Sequence, residues 1–351
     1  MRTTFTPTLK WALVTVVVIG SVFLSWVTFE LIHVARPHNG ASLEFRGFVL
    51  LPKGKVLTVL DYLTISDQRL FVTDESTGSV YKIALRGGGL PQSNDVSLLA
   101  SEPAAHGVAL NLSRTLAYVT RSEVNAVDVF DPATMRAIAR VPVAEDPDAI
   151  VFDPVHNVLY VGNGDAHLAT LIDPESHAVI ATIPLPGKPE FPVLDHRTGL
   201  MYQSLRNINS VAAVDIAGRS VKSRWPLPGC REPSGTAIDE RGRRLFVVCS
   251  ANAMFEVFDL DTQRVVTRLA IGGGPDSVAF DPELQRIYAT GRSGVLTVIR
   301  QSNADSYKVV DSIKLHYGAH TLVLDPATHD VYVGYAGLLT PARVAVFAPR
   351  P

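Results

Sequence analysis

One sequence pattern recurs seven times along this chain, and no other feature limits its fold as strongly. In the clearest copies an apolar triplet is followed by Asp-Pro, a short polar gap and a Leu-Tyr-Val-like strand, as in IVFDPVHNVLYVGN and LVLDPATHDVYVGY. The seven copies span residues 62–74, 108–121, 150–163, 192–205, 236–249, 278–291 and 322–335. Counted from the residue seven before the aromatic, they lie 47, 42, 42, 44, 42 and 44 residues apart. Units of this length are typical of propeller blades, so the pattern predicts an all-β, seven-bladed β-propeller.

Turn residues and period-two alternation place four strands in each unit, and in the third they fall at residues 149–153, 158–162, 168–172 and 177–185. The Asp-Pro pairs favour turns, because proline presets φ and the aspartate can accept backbone hydrogen bonds. The last unit ends after its third strand, RVAVF at 343–347, whereas Glu44–Pro52 resembles a fourth strand. We therefore expect an N-terminal strand to close the last blade and remove an exposed edge.

An apolar segment precedes the propeller. Residues 11–29 are uncharged and, as a helix, would span about 28 Å, enough to cross a bilayer core. We divide the chain into a short tail (1–10), a signal-anchor or transmembrane segment (11–35), a linker (36–43) and the propeller (44–351). An uncleaved anchor is favoured and a cleaved secretory signal remains open. The expected location is the cell membrane, single-pass, with the propeller on the extracytoplasmic side, periplasmic or extracellular.

The repeats resemble the YVTN-repeat β-propeller family of bacterial periplasmic and surface proteins. Tyr118–Arg121 (YVTR) and Tyr160–Asn163 (YVGN) match the strand ending that names the family, and GGGPDSVAFD at 272–281 matches its linking pattern. The resemblance covers residues 44–351 and implies the propeller fold rather than a particular activity. Six of the seven units lack the asparagine at the strand end, so the sequence assigns that position no common chemical role.

The candidate site is a ring of polar residues at the channel mouth, where propellers generally bind ligands. The reference residue of each copy is the one seven before the aromatic. The residue five before that reference falls in the crossover from one blade to the first strand of the next. Read round the ring, these positions hold Val59, His106, Asp148, Glu190, Ser234, Asp276 and His320, with Asp61 further along the first strand of blade one. The predicted ligand-binding set is Asp61, His106, Asp148, Glu190, Asp276 and His320. A solvated channel lining without a ligand is the alternative.

The two cysteines belong to one unit. Cys230 precedes the first strand of blade five and Cys249 ends its second strand, so both lie at the same face. The sequence permits either a disulfide or two separate thiols, and an oxidising compartment favours the disulfide.

The function is not named by any catalytic motif. The sequence contains no G-x-S-x-G, H-E-x-x-H, P-loop or C-x-x-C-H motif, and we assign no catalytic residue, metal ligand or cofactor. The 32 basic and 34 acidic residues give no overall basic field, so we do not expect nucleic acid as a partner. We expect a non-catalytic binding or scaffold module for a protein, glycan or small molecule, with the membrane contacted through the N-terminal helix. The alternatives are a metal-dependent hydrolase or lactonase at the channel mouth and a DNA-binding propeller.

Overall fold

The computed structural model describes residues 37–52, 58–85, 87, 89–99, 104–335 and 341–350, and these form seven four-stranded antiparallel sheets. The seven-bladed, all-β propeller predicted from the repeats is confirmed. Each sheet is one blade, and in six blades the strands pair in chain order as a meander of local hairpins, whereas blade seven takes its outer strand from residues 43–50. We call the four strands of a blade a to d, from the channel outward.

The strand bounds follow the repeats closely. The chain begins with β1 (Leu43–Leu50), which belongs to blade seven. Blade one is β2 (Leu60–Ser66), β3 (Arg69–Asp74), β4 (Ser79–Ala84) and β5 (Val96–Leu99), and blade two is β6 (Ala105–Leu110), β7 (Ala117–Arg121), β8 (Ala126–Asp131) and β9 (Arg136–Pro142). Blade three is β10 (Pro147–Asp153), β11 (Val158–Asn163), β12 (Leu168–Ile172) and β13 (Val179–Pro184).

Blades four to seven repeat the arrangement. Blade four is β14 (Val193–Asp195), β15 (Leu200–Leu205), β16 (Ser210–Asp215) and β17 (Ser220–Pro226), and blade five is β18 (Pro233–Asp239), β19 (Arg244–Cys249), β20 (Met254–Asp259) and β21 (Arg264–Ala270). Blade six is β22 (Pro275–Asp281), β23 (Arg286–Gly291), β24 (Val295–Asn303) and β25 (Ser306–Lys314), and blade seven adds β26 (Leu322–Leu324), β27 (Val331–Tyr335) and β28 (Arg343–Pro349) to β1. Short 3₁₀ turns lie at Ser93–Asp95, Arg206–Ile208 and Ser250–Asn252.

The apolar core lies between neighbouring blades. Tyr160 and Leu171 of blade three, for example, pack with Ala212 and Val214 of blade four in one buried cluster. Strands b and c are almost wholly buried, whereas strand d alternates between exposed and buried positions, which is the period-two pattern of a half-buried sheet edge. Burial on both faces fixes the inner strands and therefore the residues at the channel mouth.

The Asp-Pro turns form as the sequence indicates. Oδ1 of Asp153 accepts hydrogen bonds from the backbone N–H groups of Val155 at 2.8 Å and His156 at 3.2 Å. Asp281 makes the same pair of bonds with Glu283 and Leu284, each at 3.0 Å. Because the carboxylate satisfies the turn's N–H groups, the motif ends strand a at the same place in successive blades.

The two ends of the propeller close one blade, as predicted. β1 pairs antiparallel with β28, from Leu43 opposite Pro349 to Leu50 opposite Arg343. Arg286 of blade six reinforces the seam by donating to the carbonyls of Ser42 at 3.2 Å and Arg350 at 2.9 Å. The seam thus unites the chain ends with blade six as well as with each other.

The predicted linker is described from residue 37 onward, and its C-terminal end is packed against the propeller. Ser42 is buried, and its N–H donates to Oδ2 of Asp311 in blade six at 2.8 Å. The predicted tail and membrane segment, 1–10 and 11–35, lie outside the described residues. Among the residues that are described, no helix has the length and apolarity needed to cross a membrane.

Candidate functional site

In five blades the channel-mouth residue lies in a bulge at the start of strand a, and in blades four and seven it occupies the equivalent place just before that strand. In blades one, two and three the a–b register shifts between Leu60 and Leu63, between Ala105 and Val108, and between Pro147 and Ile150. The residue after the first paired position in each is Asp61, His106 and Asp148. A bulge redirects its side chain, here at the channel end of the strand. We call the seven equivalent residues the mouth ring: Asp61, His106, Asp148, Glu190, Ser234, Asp276 and His320.

Blade one departs from the spacing used to find this ring. Ser66 pairs directly with Arg69 across a two-residue turn, whereas Asp153 of blade three pairs with Val158 across four residues. Counting back from Phe71 therefore overshoots by two residues and selects Val59, which lies outside the strands and is 39% exposed. Asp61 is the true ring member of blade one, so six of the seven positions are ionisable.

Three of the predicted residues converge on one point. Nδ1 of His106 lies 2.6 Å from Oδ2 of Asp61 and 3.5 Å from Oδ1 of Asp148, so adjacent blades one, two and three each supply one group. One ligand atom from each of the three residues lies within 4.8 Å of the other two. The side chains of Asp61, His106 and Asp148 are 17%, 12% and 24% exposed, which leaves the cluster partly open to the channel.

Protons in this cluster are held tightly. Burial of the imidazole opposes its charged form, but the hydrogen bond and charge of Asp61, with the charge of Asp148, raise the pKa of His106 to about 9. Desolvation and then the charge of Asp61 raise the pKa of Asp148 well above its usual range, against the lowering effect of His106. At neutral pH His106 is therefore an imidazolium beside Asp61, while the raised pKa of Asp148 favours the protonated form of that carboxyl.

His106 is also bonded on its other nitrogen. Nε2 lies 2.8 Å from Oγ of Ser122, the residue after strand b of the same blade. Ser122, His106 and Asp61 thus have the connectivity of a nucleophile, base and acid triad. A protonated imidazole donates to both neighbours, however, so in this state it orients Ser122 without being able to accept its proton.

Two aromatic side chains beside the ring were not predicted from the sequence. Tyr62 donates its hydroxyl to Oδ2 of Asp148 at 3.2 Å, and its ring centroid lies 5.1 Å from that of Phe191. Blades one, three and four are thereby bridged across the channel. Desolvation, followed by the charges of Asp148 and Asp61, raises the pKa of Tyr62 well above its usual range. The phenol is therefore a hydrogen-bond donor at physiological pH.

The far side of the ring has different partners. Oε1 of Glu190 lies 3.1 Å from Arg206, which also binds Glu232 at 2.9 Å. Desolvation and the charge of Asp276 raise the pKa of Glu190 to about 7, although Arg206 opposes the shift. Asp276 lies 3.5 Å from Arg292 and 3.8 Å from Nε2 of His320. The predicted residues Glu190, Asp276 and His320 therefore do not join the cluster around His106.

A positional rule connects the residues that the sequence analysis missed. Ser122, Arg206 and Arg292 each follow the last residue of strand b, and each contacts the ring residue of its own blade. These residues could be found from the register of the a–b hairpin, because the residue after strand b lies beside the ring position of the same blade.

The backbone under the cluster is held by Thr120 of blade two. Its hydroxyl donates to the carbonyl of Asp148 at 2.5 Å and accepts the N–H of Gly107 at 2.8 Å. Gly107 permits the close approach, since a Cβ at this position would lie 2.9 Å from the backbone nitrogen of Ile150. Blades two and three therefore have little freedom to separate at this point.

Cys230 and Cys249, whose pairing the sequence left open, form a disulfide with a Cα–Cα distance of 5.2 Å. Both residues are buried in the cluster between blades four and five. Cys249 pairs with Pro233, the residue before the ring member Ser234. The disulfide thus fixes the only blade that contributes a non-ionisable residue to the mouth ring.

These features define the molecule as a seven-bladed β-propeller with an ionisable channel mouth. Among solved structures it is similar to a chain of Kuenenia stuttgartiensis hydrazine synthase, with a TM-score of 0.71 and 18% identity over 84% of this chain and 97% of that one. At this identity the likeness shows the fold alone. No family model matches the chain, so the YVTN-repeat resemblance is not established as membership. No curated protein matches it either.

Proposed function

We propose that this propeller is a membrane-anchored, extracytoplasmic binding module whose mouth ring receives a positively charged group of its ligand. The main support for this proposal is that arginine side chains neutralise some carboxylates of the ring and not others. Glu190 and Asp276 lie beside Arg206 and Arg292, respectively. Among the described residues, Asp61 and Asp148 have no lysine or arginine within 4.0 Å and share only the charge of His106. Partly buried carboxylates with so little compensation attract a cation.

A binding role accounts for the state of His106 better than a hydrolytic one. General-base catalysis needs an imidazole that accepts a proton near the working pH. Because the pKa of His106 is raised to about 9, the imidazole is already protonated, and Ser122 is not activated. The acidic character of the mouth also disfavours a polyanion such as DNA.

The location is part of the proposal. The apolar run at 11–29 supports a tether, and the disulfide between Cys230 and Cys249 suits an oxidising compartment outside the cytoplasm. The chain enters the propeller at the seam, through Ser42 and β1, so a tether there would leave the channel mouth accessible. The resemblance to YVTN-repeat proteins of the periplasm and cell surface agrees with this placement, and the ligand would be a protein, glycan or small molecule with a cationic group.

The proposal is tested by thermal unfolding of the full chain in detergent with divalent metal ions, spermidine and lysine-rich peptides. A cation that binds the folded state raises the melting temperature with concentration. We expect stabilisation of the wild type and its loss in a D61N/D148N variant, while D261N/D305N, which changes two exposed aspartates of the c–d turns outside the ring, retains it. Absence of stabilisation by every cation, or equal stabilisation of wild type and D61N/D148N, would refute the proposal.

A metal-dependent hydrolase or lactonase is the second candidate, favoured by the convergence of Asp61, His106 and Asp148 within 4.8 Å. Three protein ligands leave coordination positions for water and substrate. Hydrolysis of p-nitrophenyl acetate and of a simple lactone, measured with and without Zn²⁺, tests it. Metal-dependent turnover that disappears in H106Q would favour the hydrolase, and turnover at the uncatalysed rate would exclude these reactions.

A further inference from the structure

The cluster of Asp61, His106 and Asp148 offers a mixed set of ligand atoms rather than a plain acidic patch. It presents an imidazole nitrogen between carboxylate oxygens of the two flanking blades. One imidazole and two carboxylates suit first-row divalent ions such as Zn²⁺ and Mn²⁺ better than Ca²⁺ or Mg²⁺, which prefer oxygen ligands alone.

We propose that a first-row divalent cation binds at this point, held by Nδ1 of His106, Oδ2 of Asp61 and Oδ1 of Asp148. The ion takes the place of the proton that Nδ1 shares with Asp61 at 2.6 Å. This inference rests on the proposed function, because it names the cation that the mouth ring receives. The remaining coordination positions face the channel and are filled by water or by a donor atom of the ligand.

Groups behind the three ligands orient them toward the ion. Ser122 lies 2.8 Å from Nε2 of His106, so a proton on Nε2 is stabilised and Nδ1 is left for coordination. Tyr62 donates to Oδ2 of Asp148 at 3.2 Å, and this leaves Oδ1 as the oxygen that faces His106. Each ligand except Asp61 thus has a hydrogen-bonding partner that selects one of its atoms.

The backbone holds the ligand spacing before any ion arrives. Thr120 bonds both the N–H of Gly107, beside His106, and the carbonyl of Asp148. The hydroxyl of Thr73 donates to the carbonyl of Tyr62, beside Asp61, at 3.1 Å. Ligands placed on bonded inner strands are preorganised, so little order must be gained when the ion binds.

Equilibrium dialysis of the full chain in detergent, first stripped with EDTA, tests the site with Zn²⁺ and Mn²⁺ as probes. The expected result is one tightly held equivalent per chain in the wild type. H106Q and D61N should each lose at least 100-fold in affinity, and S122A about 10-fold because only the orienting bond is removed. H196Q, which removes an exposed histidine outside the ring, is the matched control and should keep wild-type affinity.

Two results would overturn the site: no tightly held metal in the wild type, or equal affinity in wild type and H106Q. The wild-type measurement stands even where a variant fails to fold, and Mn²⁺ electron paramagnetic resonance on the wild type gives a second readout. If metals fail while spermidine or a lysine-rich peptide still stabilises the chain through Asp61 and Asp148, the metal site is wrong and the binding module survives. If no cation binds, both proposals fail.

Discussion

Nδ1 of His106 lies 2.6 Å from Oδ2 of Asp61, and this contact couples blade two to blade one at the channel mouth. A second contact, 3.5 Å to Oδ1 of Asp148, extends the coupling to blade three. The imidazolium is thus the common partner of two carboxylates from separate blades. Loss of its charge should affect the stability of the ring as well as ligand binding.

Replacement of His106 by glutamine should destabilise the metal-free protein in a pH-dependent way. Since the folded pKa of about 9 lies above the unfolded value of about 6.5, the stabilisation is complete below pH 6.5 and is lost as the pH rises through 9. We expect H106Q to be less stable than wild type by on the order of 1–3 kcal/mol at pH 6 and equal to it near pH 10. Urea unfolding in EDTA measures this difference, with exposed His196 changed to glutamine as the control. A pH-independent difference would contradict the assigned charge state.

Ionisation of Glu190 should lower the free energy of unfolding as the pH rises, unlike ionisation of an ion-paired surface carboxylate. Its pKa is raised to about 7, so the folded state favours the protonated form, and stability is lost as the pH rises from about 4.5 through 7. E190Q should therefore match wild type near pH 4.5 and be more stable by about 1–3 kcal/mol at pH 8. E232Q, which alters the more exposed partner of the same arginine, should change stability by less than about 1 kcal/mol. Lower stability of E190Q than wild type at pH 8 would show that the ion pair with Arg206 outweighs desolvation.

The disulfide between Cys230 and Cys249 should stabilise the propeller by about 3 kcal/mol, because it closes a loop with a sequence separation of 19 residues in the unfolded chain. Denaturant unfolding with and without reductant measures the contribution. A C230A/C249A variant controls for other effects of the reductant. Its unfolding midpoint should be the same with and without reductant. An unchanged wild-type midpoint under full reduction would contradict the prediction.

Arg286 should be important for ring closure. The R286A substitution removes the hydrogen bonds to the carbonyls of Ser42 and Arg350, and charged donors of this kind contribute about 1.5–3 kcal/mol each when buried. We expect a loss of about 2–5 kcal/mol in unfolding free energy, together with faster hydrogen exchange in β1 and β28. The exposed Arg224 of strand β17, changed to alanine, should have an effect below about 0.5 kcal/mol. Unchanged exchange at the seam in R286A would show that β1 pairing does not depend on this residue.

The repeat made the architecture predictable because five of the seven blades end strand a with an aspartate that accepts a turn N–H group. Asp153 and Asp281 end strand a through the same two hydrogen bonds, so the spacing of the aspartates reports the spacing of the blades. Blade one lacks this turn, and its tighter hairpin shifted the ring position from Val59 to Asp61. A fixed sequence offset fails wherever a hairpin changes length, whereas the strand register does not.

The partners of the ring were harder to predict, since they depend on contacts between strands and across the channel. Nothing local in the sequence relates Tyr62 to Phe191, and Ser122 is related to His106 only once the register of the hairpin is known. The strand-end position of the YVTN motif shows a similar limit. Asn163 bonds the carbonyl of Ala144, while Arg121 at the equivalent register bonds the carbonyl of Gly78. Both are structural bonds, which explains why different residues serve at the same place.

A cation site at the channel mouth is tested most directly by anomalous diffraction from crystals of the protein grown with Zn²⁺. We expect one strong peak between the three blades, with Nδ1 of His106 and one oxygen each of Asp61 and Asp148 about 2.0–2.2 Å from the ion. A channel mouth without a peak at saturating Zn²⁺, or a peak bound only by residues outside this cluster, would contradict it.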